Sequence, residues 1–113
     1  MLIKASEARK EENTPSCTVW EYDFPNKDLS LAIAHINGRY PTTGKSIDHE
    51  CNDMYYVLSG EWTIHDETGE YEVKEWDCFL FNKGGRYRVE GKDLKVVLPS
   101  APAWFLSQHE YIQ

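Results

Sequence analysis

The sequence predicts a single all-β domain, a sandwich or closed barrel of about eight short strands. Three observations carry this. Short runs rich in Val, Ile, Tyr, Trp and Phe recur from Thr18 onward. Turns containing Gly, Asn, Asp or Pro separate them at regular spacing, and no helical period of apolar residues is sustained between them. With 113 residues, 41% hydrophobic and 27% charged, the chain suits one domain that builds a core without disulfides or a structural metal.

The elements follow in order. Residues 5–13 are charged and suit one helical turn or a frayed segment, ended by Thr14-Pro15. Thr18 to Phe24 is a strand stopped by Pro25-Asn26-Lys27-Asp28. In Leu29 to Ile36, Leu29, Leu31, Ile33 and His35 alternate with Ser30, Ala32 and Ala34, so the larger set is expected inside. Residues 39–52, with Pro41 and Gly44, read as irregular. Asp53 to Ser59 is apolar on both faces and is expected to be buried. Gly60 bends the chain into Glu61 to His65, and Asp66-Glu67-Thr68-Gly69 closes a hairpin onto Tyr71 to Trp76. Cys78 to Phe81, Arg86 to Val89 and Leu94 to Leu98 complete the set, separated by turns at 82–85 and 91–93. Pro99 and Pro102 argue against a continuing central strand. Trp104, Phe105, Tyr111 and Ile112 make the tail too apolar to stay in solvent, so it packs across its own barrel or covers a second subunit. The expected organisation is a charged N-terminal segment over 1–16, a barrel over 17–98 and a tail over 99–113.

Twelve Lys and Arg against nineteen Asp and Glu give a net charge of −7. Such a surface repels phosphate backbones and anionic headgroups, which argues against nucleic acid or membrane as the main partner. Three cysteines without CxxC spacing exclude a disulfide framework and an all-cysteine zinc site. Met1-Leu2-Ile3-Lys4 runs straight into a charged stretch with no apolar run of the signal-peptide kind, so the expected location is cytoplasmic.

Two segments carry a resemblance. Asp53-Met54-Tyr55-Tyr56-Val57-Leu58-Ser59-Gly60-Glu61 has an acid seven positions before a glycine, with an apolar strand between. Trp76-Asp77-Cys78-Phe79-Leu80-Phe81-Asn82-Lys83-Gly84-Gly85-Arg86-Tyr87 follows in register. Together they resemble the cupin superfamily, small double-stranded β-barrels of the jelly-roll kind. The resemblance implies a cupin-like barrel, a homodimer, and an inward metal site of imidazoles with one carboxylate. Here Asp53 stands at the acid's place and His49 at one of the histidines. Ile47 and Tyr87 stand where other histidines would, and Trp76 and Asn82 replace a glycine and a proline; Asp77 and Gly84 match.

That set is incomplete. The expected function is therefore binding of a small polar molecule in the barrel without a standard metal centre and with no cofactor assigned. The ligand-binding candidates are His49, Asp53, Trp62, Phe81 and Tyr87. His49 and Asp53, four apart in extended chain, are expected on one face, able to exchange a proton or hold an ion. Tyr87 can donate a hydrogen bond or simply fill the barrel, and Trp62, Phe79 and Phe81 line or plug the cavity. His65 and His109 read as surface residues. The alternative is a metal-dependent isomerase or dioxygenase with His49, Cys51 or Asp53, and His35 as ligands. Between the two lies a metal-free isomerase with His49 as base and Tyr87 as acid.

Overall fold

The computed structural model describes residues 1–113. Nine strands follow a short turn at Ala5–Glu7: β1 (Arg9–Thr14), β2 (Cys17–Tyr22), β3 (Ser30–Tyr40), β4 (Lys45–Asp48), β5 (Asn52–Asp66), β6 (Gly69–Val73), β7 (Cys78–Phe81), β8 (Arg86–Ala101) and β9 (His109–Ile112). They form one antiparallel sheet in the order β1-β2-β3-β8-β4-β9, with β5 joining β8 to β6 and β7, and the sheet curls around a single core. The expected all-β cupin-like barrel is what the chain adopts.

Some elements differ from the expectation. The charged segment is not frayed: Arg9 to Thr14 pairs with β2, Lys10 opposite Trp20 and Glu12 opposite Thr18. The two runs on either side of Gly60 are one strand, β5. Its pairing with β8 shifts register between Val57 and Glu61, and Gly60 sits at φ 86, a conformation that favours glycine. Likewise Arg86 to Ala101 is one strand with no turn at 91–93, and it continues through Pro99. The β5–β8 ladder has no paired residues between Asp53–Ser100 and Tyr56–Val97, so the missing proline N–H falls where that ladder is interrupted. Lys45–Asp48, within the stretch read as irregular, pairs with both β8 and β9.

The inner face of β3 is also the opposite of the expected one. Ala32, Ala34 and Ile36 are buried, and Leu31, Ile33 and His35 point outward. Small side chains on the inner face leave room for a cavity, which both alanines line. One end of the barrel is closed by aromatics. Tyr55 stacks on Trp62 with ring centroids 5.0 Å apart, and Phe81 packs against both Tyr55 (4.7 Å) and Tyr87 (4.4 Å). Each such pair adds about 1 kcal/mol beyond simple burial.

Candidate functional site

Beyond the aromatic plug the barrel keeps a cavity of about 50 Å³, lined by Asp48, Asp53, Tyr55, Tyr87, Ser100, Trp104 and His109 among others. Asp48 ends β4 and Asp53 begins β5, so both sit where strands leave the same end of the barrel. Both are buried at 5% exposure. Two carboxyls so placed cannot both be ionised without a large penalty.

The donors around them decide which holds the proton. Asp48 Oδ1 accepts from Trp104 Nε1 (3.1 Å), Gln108 Nε2 (2.8 Å) and His109 Nδ1 (2.7 Å), while the Tyr87 hydroxyl approaches Oδ2 at 3.4 Å. Burial works against its ionisation, but His109, a hydrogen bond from Asp53 and Gln108 outweigh it and hold Asp48 below the ordinary carboxylate range. Asp53 has only the Ser100 hydroxyl as a donor. Burial, together with the hydrogen bond and charge of Asp48, pushes it up to about 8. At neutral pH the pair thus holds one proton, on Asp53, facing an ionised Asp48.

Because ionised Asp48 only accepts, His109 Nδ1 carries a proton. In the neutral imidazole, Nε2 then accepts from the Tyr40 hydroxyl at 3.1 Å, and Tyr40 accepts from Tyr111 at 3.1 Å. Tyr111 is half exposed, so a hydrogen-bonded chain runs from the surface to the carboxyl pair. Gly44 at φ 69 makes this possible. A side chain there would run into the Ile112 carbonyl and lift β9 off β4.

Asn13, Glu21, Ser30 and Trp104 line both the cavity and an outer vestibule. Charges in that vestibule are mainly negative: Glu11, Glu21 and Asp23 against Arg9, whose guanidinium is tied to Asp23 and Glu11. Glu21 is largely buried, and burial raises its pKa despite the pull of Arg9.

The sequence candidates are distributed as follows. Asp53 and Tyr87 line the cavity. Burial raises the Tyr87 hydroxyl well above its ordinary range, so it is a neutral donor. Trp62 and Phe81 lie in the aromatic plug rather than on the cavity wall. His49 and Asp53 do not share a face: the strand breaks at His49–Glu50, and His49 is half exposed beside Glu110 (3.1 Å). His35 bonds Asp93 on the outer surface at 2.7 Å. Cys51 is fully buried, and burial pushes its thiol up to about 11. His109, read as a surface residue, is instead buried against Asp48, with both side chains 6% exposed. Asp48, Glu21, Tyr40, Ser100 and Gln108 carry no signal in the sequence, and Trp104 reads there only as an apolar tail residue.

A metal of the kind the resemblance implies would need a clustered donor set. His35, His49 and Cys51 are not gathered, the Tyr87 phenol stands in place of an imidazole, and no three His, Cys, Asp or Glu side chains lie close enough to hold an ion. The residues present do not fit that centre.

Fold and site define the class: a small cupin-fold β-barrel whose cavity ends in a buried pair of aspartates. The chain is similar in structure to Streptomyces Pac13, described as a nucleoside dehydratase, with a TM-score of 0.88 at 14% identity, covering 100% of this chain and 91% of that one. A variant of that protein with uridine gives the same TM-score and identity. KdgF from Halomonas sp. matches with a TM-score of 0.74 at 16% identity over 90% of this chain and 94% of that one. Ectoine synthase from P. lautus matches at 0.76 and 13%, over 100% and 91%. No family profile and no curated protein matches the sequence, so the likeness is one of fold.

Proposed function

We propose that the chain binds a small, uncharged polar molecule at the carboxyl end of the cavity and moves a proton on it without a metal. The observation that carries this reading is the Asp48–Asp53 pair, one acid and one base held apart in protonation by their hydrogen bonds. Asp53 supplies a proton to a hydroxyl or carbonyl oxygen, and the Tyr87 hydroxyl orients it. Asp48 takes a proton back and returns it to Asp53 across the hydrogen bond between them, so the pair ends with the one proton it began with, while His109, Tyr40 and Tyr111 hold Asp48 in place. Such chemistry suits elimination of water or isomerisation beside a carbonyl. The structural likeness to a nucleoside dehydratase supports the same class of reaction.

The vestibule narrows the ligand. Its excess of carboxylates disfavours phosphates and carboxylic acids, leaving neutral sugars, polyols and nucleosides. A thermal-shift panel of nucleosides and sugars, each beside its phosphorylated form, tests this on wild type and Asp53→Asn. Stabilisation by neutral members, weakened in the variant, supports the reading. Preferential stabilisation by the phosphorylated forms, or equal shifts in both proteins, overturns it.

A further inference from the structure

Strand β2 turns Cys17, Val19 and Glu21 into the barrel, and all three line the cavity. The first two are buried apolar residues, but the third is a carboxylate. A charged group on an inner face ordinarily has a donor beside it. Glu21 has none: burial raises its pKa, and only the charge of Arg9 pulls it down, with no hydrogen bond contributing. The Arg9 guanidinium itself is taken up by Asp23 at 2.9 Å and Glu11 at 2.6 Å. Opposite Glu21 in the ladder stands Ala32, whose small side chain leaves space beside the carboxylate on the cavity wall.

The polar groups of the inner wall form a line from the proton donor to Glu21. Register sets Asp53 opposite Ser100 and Ser100 opposite Ser30, a row that spans roughly 10 Å along the sheet. Two residues along β3 from Ser30, on the same face, Ala32 pairs with Glu21. Ser100 donates to Asp53, whereas Ser30 accepts from the backbone N–H of Trp104 (3.0 Å) and keeps its own proton to give. Trp104 is held at its other end by the bond from its indole N–H to Asp48 (3.1 Å), so this wall is fixed before a ligand arrives. Ser30 and Glu21 face the outer vestibule as well, and so stand at the neck that a ligand must pass. The inner cavity, about 50 Å³, holds only the reacting end of a molecule, and the substituents that follow lie against this neck.

Resting on the proton-transfer reading of the same cavity, we propose that Glu21 sets ligand specificity by accepting hydrogen bonds from two adjacent hydroxyls, so that the site takes a molecule carrying a vicinal diol. A carboxylate offers two oxygens side by side, which match two neighbouring O–H donors, and hydrogen bonds to a charged acceptor are the stronger kind. An analogue lacking one of the hydroxyls leaves a largely buried carboxylate oxygen without a partner, and that loss is what discriminates. An ammonium group would also satisfy Glu21. The charge of Glu21 helps keep Asp53 protonated, however, and a cation seated on it would cancel that help. Hydroxyls satisfy the carboxylate and leave its charge in place.

Isothermal titration of the untagged chain tests this with uridine and 2′-deoxyuridine, which differ by the one hydroxyl that completes the diol. Wild type should bind uridine about tenfold more tightly than 2′-deoxyuridine. Glu21→Gln should bind uridine more weakly and hold the two nucleosides within about twofold of each other. Without ligand, Glu21→Gln should melt no lower than wild type, because it gives up no hydrogen bond and no longer buries a charge; a carboxylate with a purely structural role would leave the variant less stable. Asp53→Asn should weaken both nucleosides alike and keep the preference. A preference retained in Glu21→Gln overturns the role of Glu21, and the proton-transfer reading stands if Asp53→Asn still weakens binding. Unaltered binding in Asp53→Asn overturns that reading instead. A wild type that binds both nucleosides equally, or neither, overturns the proposal outright, as does tighter binding of 2′-amino-2′-deoxyuridine than of uridine, which would make the carboxylate a reader of cations.

Discussion

Replacing Asp53 by Asn keeps the shape of the protonated carboxyl and removes its titration. In the folded chain this group titrates at about 8, raised by burial and by Asp48, whereas in the unfolded chain it titrates near the ordinary value of about 4. Between those values the folded state holds a proton that the unfolded state has released. Its contribution to stability is therefore fully present below about pH 4 and is lost as pH rises toward 8. The limiting slope is about 1.4 kcal/mol per pH unit, so from pH 5 to pH 7 wild type should lose about 2–3 kcal/mol relative to Asp53→Asn. Urea unfolding of both proteins at three pH values in that window measures the difference. Groups common to both proteins largely cancel from the comparison. Parallel stability curves would refute the reasoning. A wild type that gains stability relative to Asp53→Asn as pH rises would show that the folded pair holds no shared proton in that range.

Three further outcomes follow from the same geometry. His109→Ala removes a buried 2.7 Å bond to an ionised carboxylate and takes one partner each from Asp48 and Tyr40; a loss of about 2–4 kcal/mol in urea unfolding is expected, and a loss under about 0.5 kcal/mol would contradict the placement. Tyr87→Phe removes only a long 3.4 Å contact, so stability should fall by about 1 kcal/mol or less while affinity for neutral ligands drops several-fold. Among the thiols only Cys78 is exposed, and burial pushes Cys17 up to about 12 and Cys51 up to about 11. One fast-reacting thiol per native chain is expected with a disulfide reagent; two or three would show that the barrel opens readily.

Much of the fold was legible because its signals are local. The 66–69 hairpin and the β7 strand are written in neighbouring residues, and the Asp53-to-Gly60 and Asp77-to-Gly84 spacings identify the barrel. The long strands were divided in two because Gly60 and Gly91 look like turns in sequence but act as irregularities inside continuous ladders. Motif register leads to Asp53 and Tyr87, both of which line the cavity. It does not lead to their partners, because Trp104, Gln108 and His109 reach Asp48 across 56 to 61 residues, a closure made by pairing a tail strand with β4. His49 in place of Asp48 is an error of one residue, and in a strand one residue is a change of face. The inner face of β3 was misassigned for a related reason. Hydrophobic size alone points the larger set inward, but here the alanines face the cavity and Leu31 and Ile33 face outward.

The most direct test of the central claim locates the ligand. A crystal structure of the chain soaked with the most stabilising neutral member of the panel should place a hydroxyl or carbonyl oxygen within hydrogen-bond distance of Asp53 and Tyr87, with the rest of the molecule toward Glu21 and Trp104. A ligand seated only on the outer surface, or against His49 with the carboxyl pair untouched, would contradict the account.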